Sequence, residues 1–240
     1  MKKFVYLALI LSVALSCKGR GQKAEIAPVQ LEPDTVAVAK AAQALPQEPV
    51  FDIVTSMGTI RVKLYKDTPR HRDNFEKLAL SHYYDSLLFH RVINGFMIQG
   101  GDPFTRDTSL VERYGEGGPS YTIPAEMRAD DGTPLHRHKK GALAAARRGD
   151  LANPFKASSG SQFYLVQDPD NCIHLDGEYT VFGETVAGLN VIDKIAATPT
   201  DRYDRPLSDV RILRIVPNDE LNKVQLEKES GMEFDNKNDE

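Results

Sequence analysis

From Val50 to Pro217 the apolar residues come in short runs separated by turn residues, and this pattern limits the fold more than any other feature. Phe51 and Ile53, then Ile60, Val62 and Leu64, alternate with Asp52, Arg61 and Lys63. Alternation with a period of two predicts a pair of strands, joined at Ser56-Met57-Gly58. Further strand-length runs lie at Leu87–Phe89, Phe96–Gln99, Tyr121–Ile123, Ala142–Ala146, Phe163–Val166 and Tyr179–Phe182. A last strand is expected over Val210–Val216, ended by Pro217. Only two segments carry a helical period. One opens at Thr68-Pro69, with Thr68 as N-cap, Pro69 at the first helical position, and Phe75, Leu78 and Ala79 facing inward. The other is Leu189–Ala196, with Leu189, Ile192 and Ile195 on one face. The pattern predicts an all-β protein with two helices, a barrel or a sandwich.

Composition sharpens this. The chain has 240 residues, no tryptophan and two cysteines, Cys17 and Cys172. Two cysteines build neither a disulfide scaffold nor a four-ligand zinc site. The core is therefore aliphatic, with 10 Phe and 9 Tyr as its large pieces. A net charge of −4 excludes a broad nucleic-acid footprint. That charge belongs to residues 218–240, where 8 acidic residues and 3 lysines sum to −5; the rest of the chain sums to +1 (−4 minus −5). This acidic tail is expected to be a short helix that frays.

The first 49 residues are of another kind. Lys2 and Lys3 precede an uncharged run, Phe4–Leu15, too short to span roughly 30 Å of hydrocarbon. Residues 1–16 fit a secretory signal. Ala14-Leu15-Ser16 before Cys17 resembles a bacterial lipoprotein processing site, with Cys17 as the lipidated residue. A plain secretory signal that happens to hold a cysteine is the alternative. Residues 17–49, rich in Ala, Gln and Pro with balanced charges, read as a tether. The Ala-rich stretch Val36–Leu45 has transient helical character at most. The expected location is the bacterial cell envelope, on the periplasmic side, with a lipid anchor to the membrane. Cys172 is then left as an unpaired, buried thiol.

The chemistry concentrates in F-H-R-V-I-N-G-F-M-I-Q-G-G-D, Phe89–Asp102. An ordinary hairpin turning at Asn94-Gly95 accounts for part of it. Arg91 does not fit that reading, because a full charge inside an apolar segment is costly unless it is paired or used. Phe96 and Met97 are adjacent and face opposite ways on a strand, while Gln99 repeats the face of Met97.

Together with S-G-S-Q-F-Y-L (Ser159–Leu165) and H-L-D-G-E-Y-T-V-F-G (His174–Gly183), this segment resembles the cyclophilins, the peptidyl-prolyl cis-trans isomerases. M-G-T-I-R-V-K-L-Y and Asn74-Phe75 extend the likeness over residues 50–217. The resemblance implies a closed eight-stranded antiparallel β-barrel with a helix closing each end and a substrate groove on its outer wall. It implies that Arg91 is the catalytic arginine and that Gln99 braces it and bonds the substrate backbone. Phe96, Met97 and Leu175 would receive the proline ring. Ala146 and Arg147 would pair through their backbone, with the Arg147 side chain favouring an acidic substrate flank. Tyr164 stands where the proline pocket usually has phenylalanine, Tyr179 where many members have histidine, and His174 where they have tryptophan. The last change implies weak cyclosporin binding.

No cofactor and no metal is expected. Pairs such as His136 and His138 with His71, His82 or His90 have ligand-compatible spacing, but residues 129–140 read as a polar surface insertion. Gly115-Glu116-Gly117-Gly118 lacks the following Lys-Ser/Thr of a phosphate loop. The expected partners are proline-containing polypeptides, the expected state a monomer. The reading is an envelope foldase; the alternative is a module that binds proline segments without turnover.

Overall fold

The computed structural model describes residues 35–231. The signal segment, Cys17 and the first part of the tether lie outside the described residues, as does the end of the acidic tail. Among the described residues no helix is long and apolar enough to cross a membrane.

Nine strands and four α-helices are described. The strands are β1 (Val50–Thr55), β2 (Gly58–Leu64), β3 (Arg91–Ile93), β4 (Met97–Gly100), β5 (Thr122–Ile123), β6 (Ala142–Arg147), β7 (Ser158–Val166), β8 (Val181–Ala187) and β9 (Ile212–Pro217). The helices are α1 (Thr35–Gln43), α2 (Pro69–Leu80), α3 (Leu189–Ala196) and α4 (Asp219–Glu229). Eight strands follow the order β3-β4-β7-β6-β8-β2-β1-β9, every pairing antiparallel, and β5 adds a short flap to β7. The two ends of this order meet. Leu88 bridges Arg211, and Phe89 N and Val92 N donate to the carbonyls of Val210 and Asp204. The curled sheet thus closes through loop backbone rather than through a regular ladder.

Strand alternation divides the apolar residues between two faces. Ile98, Leu143, Ala145, Phe163, Leu165 and Phe182 point into the barrel and join the main core. Their neighbours Met97, Ala144, Tyr164, Val166 and Val181 point out and form a second cluster. The inner core is capped at one end by α2, whose Phe75 lies edge-on to Phe51 and Phe163 with ring centroids 5.9 and 5.7 Å away. The α3 helix packs through Ile192 and Ile195, both buried.

Several expectations need correction. Leu189 is only partly covered, at 38% exposed, because it is the first residue of α3 and rests against Gly141 rather than in the core. Thr68 occupies the N-cap position but makes no capping bond. Glu126, from a distant loop, does that work: its carboxylate accepts from Arg70 N and His71 N, both at 3.0 Å. Two further helices flank the body. Over Val36–Leu45, where only transient helix was expected, α1 forms, and Leu45 packs against the core. The acidic segment begins as a docked helix: on α4, Asn222 is buried and bonds both Val50 N (2.7 Å) and Val50 O (3.0 Å).

Candidate active site

The hairpin of β3 and β4 positions the two charged-face residues. Arg91 and Gln99 are direct cross-strand partners, so their side chains leave the same face of the sheet. Arg91 Nη1 donates to Gln99 Oε1 at 3.4 Å. Gln99 Nε2 donates in turn to Gln162 Oε1 at 3.0 Å. Gln162 is anchored by bonds to the carbonyls of Gly115 (3.0 Å) and Gly117 (2.7 Å). The chain of amides fixes the flip of the Gln99 side chain, so that its oxygen and not its nitrogen faces the guanidinium.

Beside this pair lies the outer apolar cluster. It brings together Met97, Tyr164 and Leu175, all buried, with Phe96, Ala146 and Tyr179 partly buried around them. Phe96 lies in the turn, not on the strand, so it and Met97 serve one cluster rather than opposite faces. His174 lies near the end of a 3-10 turn over Asp170–Leu175, and its ring stacks on Phe96 with centroids 6.4 Å apart and planes at 18°. All ten candidate residues therefore lie along one outer surface of β3, β4, β6 and β7 and the loops beside them. A groove of about 420 Å³ continues from Gln99 between Gly115–Thr122 and Ala146–Arg148.

The floor of the apolar cluster has a polar support that the sequence reading placed at the surface. Tyr164 Oη lies 2.8 Å from His138 Nε2, and His138 Nδ1 lies 2.8 Å from Asp176 Oδ1. Asp176 Oδ1 also accepts His138 N at 2.8 Å. A carboxylate only accepts, so Nδ1 carries the proton and Nε2 accepts from the tyrosine hydroxyl. Burial of His138 holds its pKa below the ordinary value, partly opposed by Asp176, which keeps the ring neutral. Burial likewise pushes the Tyr164 phenol well above its usual range. Residues 129–140 are thus not simply a polar surface insertion: the His138 side chain is 0% exposed.

Arg147 also departs from expectation. Its side chain is 5% exposed. It donates from Nε to Glu178 O at 3.0 Å, pairs with Asp150 at 2.5 Å, and lies over the Tyr179 ring at 4.3 Å. The guanidinium is engaged by internal partners, whereas the expectation had it facing an acidic substrate flank. Glu178 is held by Lys156 and Arg128 as well, so the loops before and after β6 are both tied to the rim next to Tyr179.

The histidines considered as ligands go to separate places. His136 pairs with Asp67, His138 with Asp176, and His71 with Glu126 (2.6 Å) and Ser158 Oγ (2.9 Å). The Ser158–His71–Glu126 chain has the connectivity of a nucleophilic triad. Ser158 is buried, however, and the adjoining cavity is about 10 Å³, room for one water at most. Its role is to tie α2 to β7. Cys172 lies beneath the apolar cluster, and burial pushes its thiol up to about 12, so it is inert.

Comparison with known proteins agrees with this geometry. The family model described as cyclophilin type peptidyl-prolyl cis-trans isomerase/CLD matches residues 50–216. Peptidyl-prolyl cis-trans isomerase-like 1 of Neurospora crassa is 38% identical over 164 residues, covering 68% of this chain and 90% of that protein. The isomerase-like 1 protein of Mus musculus is 37% identical over 172 residues, with 71% and 93% covered. Peptidyl-prolyl cis-trans isomerase-like 2 of Rhizopus delemar is 38% identical over 167 residues, and there the match spans only 28% of the relative's length. Among solved structures, a cyclophilin-type isomerase of Cryptosporidium parvum superposes with a TM-score of 0.61 at 28% identity, covering 71% of this chain and 98% of that one. The same protein in the presence of the dipeptide Ala-Pro gives 0.60 at 28% identity, with 70% and 98% covered. Cyclophilin AquaCyp293 of Hirschia baltica shares the fold, with a TM-score of 0.56 at 21% identity over 74% and 78% of the two chains. The closed sheet with its outer-wall site and these matches together place the chain in the cyclophilin-type peptidyl-prolyl cis-trans isomerase family.

Proposed function

We propose that Arg91 and Gln99, set beside the Phe96–Met97–Tyr164–Leu175 cluster, catalyse rotation about X–Pro bonds of exported polypeptides at a bacterial envelope. The observation that carries this reading is the Arg91–Gln99 cross-strand pair at the edge of an apolar recess on the outer wall.

The reaction breaks no bond. An X–Pro amide must pass a twisted state, over a barrier of about 18–20 kcal/mol, and exchanges unaided in roughly 10–100 s. Twisting ends the conjugation, so the proline nitrogen becomes pyramidal and accepts a hydrogen bond. A guanidinium aimed there binds the twisted amide better than either planar form, and only such a difference accelerates the step. The recess holds the ring and sheds water around the arginine, which strengthens its field. Gln99 keeps the guanidinium in place and offers an amide to the peptide backbone. Ala146 and the main chain of Arg147 line the same path. His174 and Tyr179 close the recess at its rim. That a Cryptosporidium parvum relative was solved in the presence of the dipeptide Ala-Pro supports a prolyl substrate.

The membrane part of the proposal rests on Lys2–Cys17: a short apolar run followed by small residues and a cysteine. It assigns lipidation to Cys17 and places the isomerase domain at the outer end of a tether. Mass measurement of the mature amino terminus tests it: a diacylglyceryl adduct on Cys17 supports the anchor, and an unmodified terminus refutes it. Exchange spectroscopy on an Ala-Pro peptide tests the reaction; binding without faster exchange would leave only a recognition module.

A further inference from the structure

The loop between α3 and β9 brings one carboxylate to the arginine. Asp204 Oδ2 lies 3.6 Å from Arg91 Nε. Its own backbone is fixed to the same hairpin: Val92 N donates to Asp204 O at 2.8 Å. Asp204 adopts a φ of +62°, in the left-handed region that residues other than glycine enter at a cost. The loop is built to hold that conformation. Asp201 Oδ1 accepts from Tyr203 N (2.8 Å) and Arg205 N (3.1 Å). Asp201 N donates to Arg205 O (2.8 Å), and Asp204 N to Asp201 O (3.1 Å). A self-braced turn with a strained residue at its tip, aimed at a functional guanidinium, calls for a reason.

We infer that Asp204 is a positioning residue for Arg91, the counter-ion that fixes the guanidinium from the side opposite Gln99. This rests on the reading of Arg91 as the group that acts on the prolyl amide. Gln99 receives a bond from Nη1, and Asp204 faces Nε. The two contacts define the plane of the group and leave the Nη2 donors for the substrate. The side chains are 42% and 44% exposed, so the pair adds little to stability in water. Its value lies in geometry, and it strengthens when a bound peptide displaces water from around it. Tyr203 and Arg205, either side of Asp204, line a cavity of about 260 Å³ shared with Arg91 and Gln99, so the loop forms a wall of the space that adjoins the groove at Gln99.

The test compares Asp204→Asn, which tolerates the left-handed conformation but lacks charge, with Asp204→Gly, which also relieves the strain. Steady-state isomerisation of an Ala-Pro tetrapeptide and thermal unfolding are measured for both. Each variant should lower kcat about tenfold, a transition-state loss of ~1.4 kcal/mol, with KM within about twofold. Asp204→Gly should not lower Tm, which separates positioning from stability. In the Arg91→Ala background, Asp204→Asn should cause no further loss. Wild-type kcat in both variants, or an equal loss with and without Arg91, overturns the inference. The Arg91 Nε–H resonance supplies an arm that does not need turnover: it should shift on Asp204→Asn, and an unmoved resonance counts against the pairing. An inactive wild type would instead sink the isomerase reading while that resonance still decides whether the pair forms.

Discussion

Tyr164 and His138 lie side by side behind the candidate proline recess, their ring planes 8° apart and the hydroxyl 2.8 Å from Nε2. The tyrosine thus serves two masters: its ring floors an apolar recess, and its oxygen satisfies a buried imidazole. The histidine in turn is satisfied by Asp176.

Removing the hydroxyl separates these roles. Tyr164→Phe keeps the ring and should leave kcat/KM within about threefold of wild type. It leaves His138 Nε2 buried without a partner, at a cost of about 1–3 kcal/mol by chemical denaturation. Combining it with His138→Leu should show a coupling of roughly 0.5 kcal/mol or more, whereas strict additivity would mean the bond contributes nothing.

Arg147→Ala tests whether the guanidinium is internal. The variant should lose about 1–3 kcal/mol of stability, since Glu178 O, Asp150 and the Tyr179 ring all lose their partner. The ratio of kcat/KM for peptides with acidic and neutral flanks should not move. A selective loss for acidic flanks would restore a substrate-facing role.

The Glu126 carboxylate ties its loop to the start of α2 through three hydrogen bonds, so Glu126→Ala should be among the more damaging changes outside the site. It uncaps Arg70 N and His71 N and leaves His71 Nδ1 bare, costing about 2 kcal/mol or more. Its hydrogen bonds outweigh burial and hold its pKa below 4.5. A depressed carboxylate gives stability that is present above its unfolded pKa and lost as pH falls through the folded one. The wild-type advantage over Glu126→Ala should therefore shrink under acid conditions.

His90 works in the same sense by another route. Among the described residues neither of its ring nitrogens has a hydrogen-bond partner within bonding distance, and burial pushes its pKa down to about 4, the more distant Leu88 carbonyl opposing only in part. Below about pH 6.5 the unfolded chain takes up a proton that the folded ring refuses, so stability falls until about pH 4 and then levels. The shift corresponds to roughly 3 kcal/mol. Glu76, whose pKa burial raises to about 7, acts oppositely but is common to wild type and variant. His90→Leu should reduce the loss of unfolding free energy between pH 7 and pH 4 by about that amount; an unchanged slope would refute the assignment.

Much of the site was legible because its pieces are local. The alternation of β1 and β2 and the Asn94-Gly95 turn each follow from neighbours within a single hairpin, whereas the pairing of Arg91 with Gln99 was implied by the family resemblance. What could not be read joins residues far apart in the chain. His138 looked like part of a polar loop until Asp176 and Tyr164 were placed around it. Asn222 sits in a helix of weak amphipathic pattern, and nothing local announces that it will cap the edge of β1. Asp204 carries no motif at all; only its strained φ and its approach to Arg91 mark it.

The most direct measurement is the rate of cis–trans exchange of an Ala-Pro peptide with wild type and with Arg91→Ala, alongside thermal unfolding of both. The account predicts that wild type accelerates exchange, and that Arg91→Ala unfolds at a similar temperature but loses most of the acceleration, a hundredfold drop being about 2.7 kcal/mol of transition-state binding. A folded Arg91→Ala protein with wild-type turnover would contradict it.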